Sequence, residues 1–189
     1  MSAKFQIEQH ATYSLLQLPY SSSLSEAITA LQGQPADYVV ISGEDGDLAL
    51  VEPASLVALG LAPSAGKMSL QQCIPRLPPL FVIDVQDTTM SNQAARDLTD
   101  SLLAQNIPAL AVMSGPKILG AVPLRSLLAL AAKPLLADPS EERSYGVPYT
   151  PVRTYVCFKC SPPSRRRPRS GEAPTCPLLP SHGPMTREG

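Results

Sequence analysis

"ALVEPASLVAL" (residues 49–59) and "GAVPLRSLLAL" (120–130) align without a gap, with Val51/Val122, Ser55/Ser126, Leu56/Leu127, Ala58/Ala129 and Leu59/Leu130 identical. A duplicated segment decides the fold before any single element does, because each copy must bury its apolar face against something and the other copy is the nearest candidate. Working outward, "DYVVIS" and "DLALVE" precede the first copy, separated by "GEDG", and "ALAVMS" and "KILGAV" precede the second, separated by "GP". Both read as β-hairpins. Each hairpin then meets a proline, Pro53 or Pro123, where a helix would start, a position that tolerates the missing N–H.

Another helix stands ahead of each hairpin. In "SLSEAITALQ", Ser23 and Glu26 have the spacing of a capping box, and Leu24, Ala27, Ile28 and Leu31 follow a helical stripe. In "SNQAARDLTDSLLAQ", Ala95, Leu98 and Leu102 repeat that stripe. The short apolar pieces "YSLLQLPY" and "PLFVIDV" lead in as strands. The expected fold class is α+β: two pseudo-symmetric strand, helix, hairpin, helix halves within residues 1–136 (about 10–70 and 71–136), a linker at 137–151, and a small tail at 152–189.

The lead-ins "LPYSSSLSEAITAL" and "PLFVIDVQDTTMSNQAARDL", the hairpin "YVVISGEDGDLALV" and the short helix after it resemble a cystathionine-β-synthase-type (CBS) domain, and the two copies resemble a tandem CBS pair over residues 10 to 135. The resemblance implies pseudo-symmetric packing, a homodimer, and an adenine nucleotide in clefts between the halves. The binding signature of such domains falls on Ala49, Leu50, Val51, Glu52 and Ser55, and on Gly120, Ala121, Val122, Pro123 and Ser126. It thus implies ligand contacts at Val51, Ser55, Val122 and Ser126. Glu52 and Pro123 depart from it, standing where a hydroxyl is expected near phosphate. A carboxylate repels phosphate and proline offers no donor. Arg125 either compensates by pairing with a phosphate or is simply solvated.

Composition sets the outer limits. With 44% hydrophobic and 16% charged residues in 189, the chain can bury a full core. The most apolar run, "LRSLLALAAKPLLA", is broken by Arg125, Ser126, Lys133 and Pro134, so no membrane span is expected. The N-terminus lacks a basic region followed by an apolar one, which favours a cytoplasmic protein with reduced thiols. Cys73, alone in "LQQCIPRL", reads as a small buried hydrophobe. The net charge of −1 is uneven: from Pro151 onward, seven basic residues stand against Glu172 and Glu188, leaving the tail at +5 and residues 1–150 at −6.

The tail gathers ligand atoms. Cys157 and Cys160 form C-x2-C, fifteen residues intervene, and Cys176 with His182 forms C-x5-H. This resembles a zinc ribbon whose last cysteine has become histidine, and it makes structural zinc the expected cofactor. A degenerate ribbon without metal and a redox pair at Cys157 and Cys160 are the alternatives; the redox reading lacks a surrounding βαβ pattern. From Pro148 onward there are nine prolines in 42 residues and few large apolar side chains, so a metal would supply what the tail's own core cannot. Between the knuckles, Arg165, Arg166, Arg167 and Arg169 form either a solvated loop or a contact for nucleic acid or an acidic protein partner.

Other motifs fail. "GLAPSAGKMS" has five residues between Gly60 and Gly66 where a P-loop has four, and Met68 where a hydroxyl belongs. "GEDGD" is too short for a calcium loop, and His10 has no local nucleophile or acid to form a triad. The sequence therefore indicates a non-catalytic regulatory or adaptor protein: a CBS-like pair that senses a small ligand or dimerises, with a zinc-stapled tail. The alternative is a nucleic-acid-associated protein that binds through the basic ribbon.

Overall fold

The computed structural model describes residues 4–43, 48–62, 65–131, 154–161, 163–166 and 173–188. The expected linker at 137–151, the expected hairpin connection at 44–47, and Arg167 and Arg169 lie outside these residues. The chain runs through β1 (Lys4–Gln6), a 3-10 turn (Ile7–His10), β2 (Leu15–Pro19), α1 (Leu24–Gly33), β3 (Tyr38–Ser42), β4 (Leu48–Val51) and α2 (Pro53–Gly60). A short α3 (Leu70–Cys73) leads to β5 (Leu80–Asp84), β6 (Thr89–Ser91), α4 (Asn92–Ala104), β7 (Ala109–Ser114), β8 (Lys117–Pro123) and α5 (Leu124–Ala131). The tail adds β9 (Tyr155–Cys157), β10 (Ser164–Arg166) and β11 (Thr186–Arg187).

The duplication is visible in the pairing. In the first half β2 runs parallel to β3, and β3 antiparallel to β4 with Val39 opposite Val51. In the second, β5 runs parallel to β7, and β7 antiparallel to β8 with Leu110 opposite Val122. Parallel neighbours need a crossover, which α1 and α4 supply. The Ser23–Glu26 box closes as expected: Ser23 Oγ accepts from the Glu26 N–H at 3.2 Å, and Glu26 Oε2 accepts from the Ser23 N–H at 2.7 Å. The bond from the Ser23 backbone, then that of its side chain, hold the Glu26 carboxyl below its ordinary value. Gly115 turns the second hairpin with φ +58, a conformation that costs glycine little.

Strand alternation sorts the core into three apolar clusters. Val39, Ile41, Ala49 and Val51 pack outward with Leu24, Ala27 and Leu56 of α1 and α2. Phe81, Ile83, Leu110 and Val122 pack outward with Leu98, Leu102 and Leu127 of α4 and α5. The opposite faces, Tyr38, Val40, Leu48 and Leu50 on one sheet and Leu80, Val82, Ala109, Ala111, Met113 and Ala121 on the other, share a central cluster. The result is helices, sheet, sheet, helices. Because both faces are covered, these strands read as apolar runs with no alternation.

Two short segments complete the halves crosswise. Ahead of α1, Ser23 bridges Ser69 and the Leu70 N–H donates to Ser22 O at 2.8 Å. Ahead of α4, β6 pairs with β1 from the chain start and the Ile7 N–H donates to Thr88 O at 2.9 Å. Leu70 and Ile7 are fully buried, one in each outer cluster, and Leu70, Cys73, Ile74 and Leu77 belong to the first-half cluster. Cys73 is thus a core residue, and burial raises its thiol pKa. "FQIEQ" (5–9) against "MSLQQ" (68–72) carried this signal: Ile7 matches Leu70 and Gln9 matches Gln72.

The strap from β1 to β2 lies over β8, where Thr12 and Ala121 exchange backbone hydrogen bonds of 2.8 and 2.9 Å. A Cβ on Gly120 would stand 2.9 Å from Thr12 O and 3.1 Å from the Tyr13 ring. Gly120→Ala is expected to lift this strap and cost about 1–3 kcal/mol, read as a lower urea midpoint at unchanged slope. An unchanged midpoint would show that the strap yields freely.

Candidate functional site

The tail is a continuation of the second-half sheet. β10 adds in parallel to β5, with Ser164 opposite Leu80 and Arg166 opposite Val82; β9 pairs antiparallel with β10, and β11 with β9. The six-stranded order is β11-β9-β10-β5-β7-β8. Tyr155, Cys157, Cys160, Cys176, Leu178 and Met185 enter the central cluster between the two sheets. On the first-half side, the Tyr20 hydroxyl donates to Ser161 O at 2.8 Å. The few apolar residues of the tail therefore share the core of the pair, where a free-standing ribbon would have had to bury them alone.

β9 ends at Cys157, the knuckle turns back through Cys160, and Cys176 and the 3-10 turn Pro180–His182 approach from the other side. The four donor atoms all lie within 4.8 Å of one another. Cys160 Sγ is 3.4 Å from Cys176 Sγ, and His182 Nδ1 is 3.6, 3.5 and 3.8 Å from the sulfurs of Cys157, Cys160 and Cys176. Zinc bonds of about 2.3 Å to sulfur and 2.0–2.1 Å to nitrogen imply tetrahedral edges of about 3.8 Å (S···S) and 3.6 Å (S···N). The three S···N distances agree with that edge, and the Cys160–Cys176 distance of 3.4 Å is shorter than the S···S edge. The Cys160–Cys176 separation is far beyond the roughly 2.05 Å of a disulfide, and all four cysteines are free.

Surrounding groups hold the donors. Ser164 Oγ, on a fully buried residue, donates to Cys160 Sγ at 3.4 Å, and Lys159 Nζ donates to His182 O at 2.9 Å. Burial, partly offset by the Ser164 bond and reinforced by the Cys176 and Cys157 sulfurs, pushes the Cys160 thiol up. At Cys176 burial also acts upward, but the backbone N–H groups of Leu179 and Leu178 and the thiols of Cys160 and Cys157 outweigh it and hold the pKa down. These bonds favour the charged form of Cys176, and a divalent cation bound here would favour deprotonation of all three thiols.

The arginines of the ribbon divide. Arg165 Nε donates to Glu188 Oε1 at 3.0 Å. Arg166 reaches Asp87 at 3.5 Å and Asp84 at 3.9 Å, and its buried Nε finds no partner among the described residues. These pairs tie β10 to β11 and to the turn after β5. Phe158, between the knuckle cysteines, is 68% exposed.

Two clefts lie where the halves meet. A lateral one of ≈ 400 Å³ is lined by Glu52 and Ser55 of the first half, the connection Pro75–Pro78, and Gln105, Asn106 and Pro108 of the second. An axial one of ≈ 640 Å³ is lined by Asp37, Tyr38, Glu52, Pro53 and Ala54 and by Pro108, Pro123, Leu124, Arg125 and Leu128, with Ala36. Of the residues singled out in the sequence, Ser55 lines the lateral cleft and Arg125 the axial one. Val51 and Val122 are fully buried, and Ser126 is half-buried and lines neither. The sequence reading missed Tyr38 and Gln105, because Tyr38 enters at the start of β3 and Gln105 at the end of α4, outside the repeated helix motif.

No family model matches the chain, and no curated protein matches it. Solved structures to which the chain is similar include CBS-domain proteins. One from Agrobacterium tumefaciens is 12% identical, with a TM-score of 0.49 over 68% of this chain and 94% of its own. One from Kribbella flavida is 18% identical, with a TM-score of 0.49 over 69% and 99%. The CBS domain of a bacterial CNNM/CorC-family magnesium transporter, solved with ATP, is 11% identical, with a TM-score of 0.49 over 67% and 86%. No helix among the described residues is long and apolar enough to cross a membrane.

Proposed function

We propose that this chain is a non-catalytic regulatory or adaptor protein in which residues 1–136 form a ligand-sensing, homodimerising pair and residues 152–189 form a zinc-held tail that contacts a protein partner in the cytoplasm. The observation that carries the sensing reading is the lateral cleft. It is built from the start of α2 in one half and the loop between α4 and β7 in the other, so an occupant would touch both and bias their packing. Inside it, Gln105 Oε1 is buried without a hydrogen-bond partner among the described residues, an acceptor left for a donor such as an adenine amino group.

Adenine nucleotides are therefore the first ligands to test. Binding to the folded pair is expected to raise its stability by about 2.7 kcal/mol at a hundredfold excess over Kd, read as a thermal shift with AMP, ADP and ATP. Because Glu52 faces this cleft, Glu52→Thr should tighten nucleotide binding by removing a like charge from the phosphates. No shift with any nucleotide for either form would remove the nucleotide sensor and leave the dimerisation platform. The nucleic-acid reading has less support, since Arg165 and Arg166 are already paired with carboxylates of this chain.

A further inference from the structure

We propose that Ser164 is a positioning residue of the Cys157, Cys160, Cys176, His182 site, its hydroxyl holding the Cys160 thiolate and sharing its charge so that an anionic metal centre can sit inside the apolar core. The inference rests on the zinc reading above and adds the residue on which affinity depends. Three thiolates and one neutral imidazole around a divalent ion leave one negative charge over. That charge would lie in dry surroundings: Cys157, Cys160 and Cys176 are all buried and belong to the central cluster with Leu80, Val82, Leu178 and Met185. Burying a charge is unfavourable unless hydrogen bonds meet it. Lys159 answers it from the solvent side, with Nζ 2.9 Å from His182 O, but an exposed ammonium is screened by water and salt.

The donor inside the core comes from β10. Ser164 stands opposite Leu80 of β5 and Cys157 of β9, and residues opposite one another share a face of the sheet, so its side chain points with Leu80 toward the central cluster. It is fully buried. Alanine would pack at such a position without any polar cost, whereas a serine has to find a partner there. Among the described residues two other polar side chains are buried, Thr88 and Thr99, and each donates to a carbonyl of its own segment, Val85 O at 2.9 Å and Ala95 O at 2.7 Å. Ser164 donates to a sulfur, Cys160 Sγ at 3.4 Å. That sulfur lies within 3.5 Å of both Cys176 Sγ and His182 Nδ1, so fixing it fixes the middle of the donor set. A hydrogen bond from outside the coordination sphere orients a ligand and tunes its donor strength. Because the Ser164 backbone is paired on both sides, the sheet holds this donor in place.

The test titrates the full chain with Zn2+ against a competing chromogenic chelator and, separately, with Co2+, whose sulfur-to-metal charge-transfer absorption reports the donor strength of the thiolates. Ser164→Ala is expected to lower zinc affinity about 10–100-fold, the usual effect of losing an outer hydrogen bond to a metal ligand. It should also move the charge-transfer band to longer wavelength, because a thiolate relieved of its hydrogen bond gives up electron density more easily. Ser164→Gly, a second form without the hydroxyl, should show the same two changes. Thr99→Ala removes a buried hydroxyl from α4 and should leave zinc affinity and the cobalt spectrum unchanged. Both changes are required in whichever Ser164 form folds: a loss of affinity without the band shift, or the shift without the loss, overturns the proposal, as does an equal loss in Thr99→Ala. Wild-type protein that takes up neither ion would overturn it together with the zinc reading, whereas wild-type binding matched by Ser164→Ala would overturn it alone.

Discussion

On the zinc reading proposed above, replacing Cys160 by serine is expected to abolish metal binding and free the tail strands β9, β10 and β11 from β5, while the paired halves remain folded. The Cys160 sulfur lies within 3.5 Å of both Cys176 Sγ and His182 Nδ1 and is 3% exposed, so the substitution removes one of four converging donors at a dry site. A serine hydroxyl is a poor zinc ligand at neutral pH because coordination needs the deprotonated form. Structural zinc is worth about 10–16 kcal/mol in small metal-held folds, as much as an ordinary domain's whole stability of roughly 5–15 kcal/mol. The three short strands of the tail cannot replace that.

Elemental analysis should find about one zinc per wild-type chain and none in Cys160→Ser. Hydrogen exchange should show protection lost at Val156 and Arg165, which pair across β9 and β10, and retained at Leu110 and Val122 in the hairpin of the second half. The same loss should follow a strong chelator. A variant without metal that kept the tail protected would show that packing on the central cluster suffices, and the metal would lose its structural role.

Phe81→Ala is expected to cost about 3–5 kcal/mol, the usual range for emptying a buried aromatic site. Phe81 is 1% exposed and is the second residue of β5, opposite Leu110 on one side and Arg165 on the other. Its side chain packs with Ile7, Leu98, Leu102, Leu110 and Leu127, so truncation opens a hole among elements from both ends of the chain. A single denaturation transition with a lower midpoint is expected, with tail and second half melting together because they share β5. Two separate transitions would contradict the shared sheet.

Much of this architecture was legible in the repeat. The strands expected at "ALAVMS" and "KILGAV" are β7 (Ala109–Ser114) and nearly all of β8 (Lys117–Pro123), and the Ser23–Glu26 box forms. The convergence of Cys157, Cys160, Cys176 and His182 was legible for a similar reason: paired knuckles of thiols and an imidazole have ligand spacing, and the structure brings all four together. The crosswise closure by residues 4–10 was harder to see. Its similarity to residues 67–73 is short and polar, and in a chain text its partner is far away.

The sequence by itself determined the two halves, their element order and the Cys157, Cys160, Cys176, His182 set, since periodicity, caps and ligand spacing act over a few residues. Only the tertiary structure decided that the tail is a sheet extension on β5, that Arg165 and Arg166 face carboxylates and that Tyr38 opens on an axial cleft. Strand edges accept any backbone of matching register, and clefts form from residues far apart in the chain. Those choices depend on which surfaces meet, a property that local pattern does not encode.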